Sequence, residues 1–364
     1  EGETAYNLGK LKCMINLYPD NYTEEDLFEG IGSPLVNTLL EGINCTLLTY
    51  GTTSSGKHLL MNGSDSNEGL MLRIARGLFD AIGKSKDATY EVKMSMFDIR
   101  LNLGRETVSD LLVDNKETKE SLKVRESIHL CSYVRGLSHH DVLTYNDVKK
   151  LHSVGSSNSS IGLMTTSTFL QFRVRKYDKS SGRLSISIAR IVNLMGSEPM
   201  PTRHFRHVHQ GLLNGQSRSA FGNVIRALRE STSHVPYYDS TLTRILSDTL
   251  GGNCKTWILA NMSQTEEEYL SNMSTIRLLD NMRHIKNKPI VNSNKKFYVW
   301  DINEISKVIE NAIERDLAGF GLSMLTPQIL LATKGSQEND IRNVIFEWEA
   351  LERRKRRTSR NTYT

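Results

Sequence analysis

The stretch that most constrains this chain is "CTLLTYGTTSSGKHLLMNG", Cys45 to Gly63. A β-rich apolar run leads into a glycine-bounded loop. Beyond it, "EGLMLRIARGLFDAI" repeats apolar residues at spacings of three and four, as an amphipathic helix does. Strand, loop and helix in that order gather backbone amides around an anion. Gly51, Thr52, Thr53, Ser54, Ser55, Gly56 and Lys57 follow the phosphate-loop pattern G-x-x-x-x-G-K, but its final hydroxyl position carries His58. Gly51 and Gly56 permit the tight backbone path, and Lys57 can reach phosphate oxygens. The plainer alternative is a surface lysine at a helix start.

The rest of the chain alternates strands and helices. "TEEDLFEGIGSPLVNTLLEG" has a Thr cap and acids in its first turn, then a helical stripe. "YEVKMSMFDIRL" alternates as a strand, and "ETVSDLLV" reads as a short helix or turn. "TFLQFRVRKYD" and "RLSISIARIVNL" are two strands joined by "KSSGR". A His- and Arg-rich loop is expected over Pro199–Gln210, a helix from about Ser217 to Glu230, a buried strand at "TWILANMS" and a helix at "EEEYLSNMSTIRLLDNMRHIKN". This order predicts an α/β fold with a mostly parallel or mixed twisted sheet and helices on both faces.

Composition adds limits. With 364 residues and 38% hydrophobic content, there is material for one large core or two modest ones. A net charge of +5 suits an acidic partner without requiring one. Cys13, Cys45, Cys131 and Cys254 form no C-x-x-C pair, so reduced thiols in a cytosolic or nuclear protein are expected, with neither a disulfide framework nor a zinc site. No apolar run reaches membrane-span length. After "IKNKPIVN" the character changes. An amphipathic extension is expected over 293–340, and a helix with a basic tail over 341–364.

Several collinear segments resemble the kinesin motor domain, over about Tyr18 to Asn292. "LVNTLLEGINCTLLTYGTTSSGKHLLMNG" is similar to the kinesin segment ending in G-Q-T-x-S-G-K-T-H-T-M, and "NLMGSE" stands where kinesins have D-L-A-G-S-E. "SAFGNVIRAL", "HVPYYDSTLTRILSDTLGGNCKT" and "STIRLLDNMRHIKNKPIVN" resemble the helix, loop-and-helix and closing segments that follow. "LKVRESIHLCSYVRGLS" resembles the family's strand pair, and its wording, with that of Ile285–Asn292, leans towards the heterotrimeric, cilium-associated class. The resemblance implies a P-loop NTPase-like motor fold over 1–292, with the first strand expected upstream of Glu1. It also implies a microtubule-binding, ATP-hydrolysing activity.

The residues implied by that resemblance are partly replaced. The family's Mg²⁺-binding hydroxyl is His58, a nitrogen donor where a hard cation prefers oxygen, and the family's adenine-side His is Leu59. The second switch is expected at Asn193, Gly196 and Glu198, with an amide where the family has an Asp; Asn193 reads equally as a strand-end residue capping a turn. The first switch is expected after "GSSNSSIG", where Ser159 replaces an Arg and the S-S-R-S-H segment is deleted before Phe169. Gly215 stands where the family's helix has an Asn. ATP with Mg²⁺ is therefore a cofactor implied by resemblance and put in question by the residues.

Tubulin contact is implied at Arg244, with Tyr238 and Thr241 in place of an Arg and a Lys, and at a new cationic loop containing Arg203, His204, Arg206, His207 and His209. No carboxylate or cysteine accompanies those histidines, so a solvated loop is the plainer reading than a metal site. "ERRKRRTSR" suits acidic tubulin tails, a nuclear signal, nucleic acid, or the solvated start of a neck helix. Ile341, Val344, Ile345, Trp348 and Leu351 space as a helix that packs or pairs, with a partner kinesin chain or a second copy. The expected function is a kinesin-like, microtubule-associated cytoplasmic binding module with weak or absent ATPase. The alternatives are an ATP-driven motor and a nucleotide-free scaffold that does not bind tubulin.

Overall fold

The structure is a computed structural model. It describes residues 4–8, 11–15, 23–52, 55–64, 67–102, 105–113, 121–126, 132–159, 166–197, 205–263, 265, 268–294, 298–299 and 331–332. The expected amphipathic helix at "DINEISKVIENAIERDLAGF" and the basic terminal helix lie outside these residues.

The organising strand is β1 (Cys45–Gly51), six of whose seven residues are buried. Helix α1 (Ser33–Leu40) precedes it, and α2 (Lys57–Asn62) and α3 (Leu70–Lys84) follow. Upstream of α1, Thr23 closes a capping box with Asp26, as the Thr and its acidic first turn predict. Next come β2 (Ala88–Asn102), β3 (Arg105–Asp110), the short strands β4 (Lys123–Arg125), β5 (Tyr133–Arg135) and β6 (His140–Asp141), and α4 (Tyr145–Asn158). The chain continues through β7 (Thr166–Asp178), β8 (Arg183–Asn193), α5 (Phe205–Arg229), α6 (Thr241–Ile245), β9 (Lys255–Asn261) and α7 (Tyr269–Met282).

The main sheet runs β6-β2-β7-β8-β1-β9, with β3 paired to β2. β1 is parallel to both neighbours, β8 and β9, whereas β2 is antiparallel to β3 and to β6. The sheet is therefore mixed. Alternate residues of each strand face opposite sides, and the cores follow that rule. Cys45, Leu47, Ala189, Ile191, Leu170 and Phe172 join a core with buried residues of α1, α3 and α4. Leu48, Val192 and Phe169 join another with α5, α6 and Met282 of α7. Helices thus cover both faces, as expected. β4 and β5 form the anticipated hairpin, with Arg125 opposite Tyr133.

Three expectations need correction. "ETVSDLLV" contributes to strand β3, because Val108 fills the second core and the segment pairs in register with β2 from Phe97↔Asp110 to Asn102↔Arg105. Helix α5 begins at Phe205, so Arg206, His207 and His209 stand on a helix and not in a loop. Gly211 and Gly215, poor helix formers, hid this in the sequence. β9 is an edge strand on which only Leu259 is buried; Lys255 instead lies over the Trp257 ring at 5.0 Å.

The chain divides into two compact units. The first comprises residues 1–86, 90–176 and 186–292 and carries the phosphate loop. The second gathers 87–89, 177–185 and 293–364; in it Leu184 and Ser185 pair with Asn294 and Ser293, and Lys179 N–H donates to Asp87 O at 2.9 Å. Among the described residues no helix is long and apolar enough to cross a membrane.

Leu47 is fully buried and Leu59 is 60% exposed, although both lie near the same loop. Leu47→Ala is expected to cost about 2–5 kcal/mol of stability and Leu59→Ala within about 0.5 kcal/mol, measured by urea unfolding.

Candidate active site at the phosphate loop

The loop leaves β1 between two parallel neighbours, and its first glycine is set by that crowding. Gly51 has φ +140°, and a Cβ there would lie 2.1 Å from the Asn261 carbonyl oxygen of β9. Gly56 sits in the left-handed region at φ +80° with open space around it, so backbone conformation alone selects glycine there. Ser55 Oγ donates to Thr52 O at 2.7 Å, and Asn261 Nδ2 donates to Ser55 O at 3.5 Å. Lys57 is only 4% exposed, which sets aside the surface-lysine alternative. Its ammonium donates to Thr52 O at 2.7 Å and to Gly51 O, inside the loop it belongs to. Thr53 and Ser54 lie outside the described residues.

The segment after β8 is laid against this loop. Leu194 N–H donates to Thr49 O at 3.2 Å and Ser197 N–H to Gly51 O at 3.0 Å, which brackets Gly196. Met195 N–H donates to Ser167 Oγ at 3.0 Å, tying the same segment to the start of β7. At the end of β8 the Asn193 amide oxygen accepts the Thr49 hydroxyl at 3.1 Å, so this side chain points back to β1. Glu198 lies outside the described residues. His58 follows Lys57 on α2 as an exposed imidazole, and partial desolvation lowers its pKa.

Helix α4 starts at a capping box between Thr144 and Asp147 and ends at Asn158, whose Nδ2 donates to Leu111 O at 2.9 Å. Gly155 packs on Met96; a Cβ there would meet Sδ at 2.3 Å. His152 shares that buried face and is 6% exposed, with no partner on Nε2 among the described residues. Burial, then repulsion from His58, lowers its pKa to about 4. Sequence reasoning missed His152, although its spacing from Val148 and Gly155 marks the inward face. It also missed Asp98, fully buried on β2, whose Oδ2 accepts Arg100 Nε at 2.6 Å.

A family model for the kinesin motor domain matches residues 14–285. The chain belongs to the kinesin motor family. Human Kinesin-like protein KIF16B is 30% identical over 91% of this chain and 27% of its own length. Human Kinesin-like protein KIF13B is 30% identical over 81% of this chain and 17% of its own length, and Drosophila melanogaster Klp68D 29% over 80% and 38%. The chain thus spans roughly a quarter of the length of the first curated relatives it matches, 27% and 23%. Among solved structures, a fast kinesin described for its ATPase mechanism and interactions with microtubules superposes with a TM-score of 0.68, at 28% identity over 75% of this chain and 79% of that one. A KIF14 dimer in a two-heads-bound state with AMP-PNP, in complex with a microtubule, gives 0.68 and 28% over 76% and 81%.

On this kinesin fold the remaining anticipated residues are spread over different elements. Arg244 is on α6, whose cap is Ser240 Oγ accepting Thr243 N–H at 3.0 Å. Its guanidinium donates to Glu126 Oε1 at 2.9 Å and lies over the Tyr238 ring at 5.2 Å. Arg206 is on the first turn of α5, and Arg203 lies outside the described residues.

Because His152 is held neutral, the unfolded chain binds more protons between pH 4 and 6.5, and stability rises with pH across that window. Lowering pH from 7 towards 4 is expected to remove roughly 3 kcal/mol through this residue. His152→Gln should flatten that slope in urea titrations at pH 7.5 and 5. An unchanged slope would assign the acid sensitivity elsewhere.

Proposed function

We propose that this kinesin-family chain is a microtubule-associated binding module whose ATP site is eroded, with weak or absent ATPase. The observation that carries this reading is the mismatch between the two halves of the site. The phosphate half fits its ligand: Gly51 and Gly56 take the positive φ values that the tight loop path needs, and Lys57 is buried against that loop. The cation half does not fit Mg²⁺ among the described residues. His58 supplies nitrogen, and Asn193 supplies an uncharged amide oxygen already accepting the Thr49 hydroxyl. Mg²⁺ takes oxygen ligands in near-ideal octahedral geometry, which that pair does not offer.

The solved relatives support the partner class. One is in complex with a microtubule, and the other is described for its interactions with microtubules. A mildly basic chain suits an acidic surface of that kind. Cytoskeletal localisation and pairing through Ile341–Leu351, with a second copy or another kinesin chain, belong to the same proposal. An ATP-driven motor is the second reading. In its favour, Ser197 N–H donates to Gly51 O, which keeps the segment around Gly196 in touch with the phosphate loop.

Microtubule pelleting combined with ATP turnover separates them. Association at low salt is expected, with stimulated turnover lower than an ordinary kinesin's by ~10³ or more, the scale on which loss of charge-stabilising groups acts in phosphoryl transfer. Turnover equal to an ordinary kinesin's would establish the motor reading instead.

A further inference from the structure

Tyr238 occupies a position where the kinesin pattern has a cation, and its side chain does more than remove one. Its hydroxyl donates to Glu126 Oε2 at 2.6 Å, while Glu126 Oε1 accepts Arg244 Nε at 2.9 Å. The Arg244 guanidinium also lies over the Tyr238 ring. Both oxygens of one carboxylate are therefore occupied, and the arginine is held from two sides. The Tyr238 bond, then Arg244, keeps Glu126 below the usual carboxylate range, so it is ionised at neutral pH. The surroundings are basic: Lys123, Arg125 and Arg135 are all exposed on the β4–β5 hairpin.

We propose that Glu126 is a built-in competitor that holds Arg244 away from carboxylates on an acidic partner surface, with Tyr238 positioning it. This rests on the reading of the partner as a microtubule. An acidic surface must displace Glu126 before it can pair with Arg244, so the contact lowers affinity without blocking binding. The cluster is solvent-exposed, so the effect is modest.

The test is co-sedimentation of the whole chain with microtubules at low ionic strength. Glu126→Gln, which keeps the shape and removes the charge, should bind about two- to five-fold more tightly than wild type. The gain should shrink as salt rises. Tyr238→Phe should give a smaller gain, and the Glu126→Gln effect should vanish in an Arg244→Gln background. If only Glu126→Gln binds measurably, both the contact's role and the partner assignment stand. If wild type binds and Glu126→Gln is equal or weaker, or if the gain survives in Arg244→Gln, the competitor role is overturned while the microtubule reading survives. If neither protein binds, both fall.

Discussion

Strand β1 is hydrogen-bonded along both edges and feeds buried side chains to both cores, and the candidate site follows from that constraint. A strand fixed in this way delivers its last residue to a defined point. There the neighbouring Asn261 carbonyl leaves no room for a side chain on residue 51. The turn that results brings the Lys57 ammonium back onto the Gly51 and Thr52 carbonyls. The same Gly51 carbonyl accepts Ser197 N–H from the segment after β8. One backbone oxygen therefore connects the phosphate loop, its lysine and the segment that follows β8.

Packing and chemistry diverge around this point. The features that depend on backbone path, Gly51, Gly56 and the parallel strand pair, are intact. In the proposed reading, those that depend on particular oxygen donors, at His58 and Asn193, are replaced. Backbone geometry is enforced by the fold's own stability, because Gly51 cannot carry a Cβ beside Asn261. Metal-ligand identity is enforced only by chemistry that uses the metal. In the proposed reading, the loop persists because the sheet needs it, and the donors were free to change.

Much of this was legible in the sequence, because the signals were local. The phosphate loop follows from Gly51, Gly56 and Lys57, and the β4–β5 hairpin from the resemblance of "LKVRESIHLCSYVRGLS" to the family's strand pair. The features that escaped did so for different reasons. Strand β3 forms because β2 offers an edge with room for Val108, which "ETVSDLLV" alone does not reveal. The early start of α5 was masked by Gly211 and Gly215. Arg244 was legible as a cation, but its pairing with Glu126, 118 residues away, was not. His152 could have been found by extending the Val148–Gly155 spacing across α4.

The most direct test is the affinity for a non-hydrolysable ATP analogue, measured by calorimetry with Mg²⁺ and again with a chelator. A loop that holds phosphate through backbone and Lys57, with no oxygen set for the cation, predicts dissociation constants within about two-fold of each other. Tightening by about ten-fold or more on adding Mg²⁺ would show that a competent metal site is present, and would contradict the account.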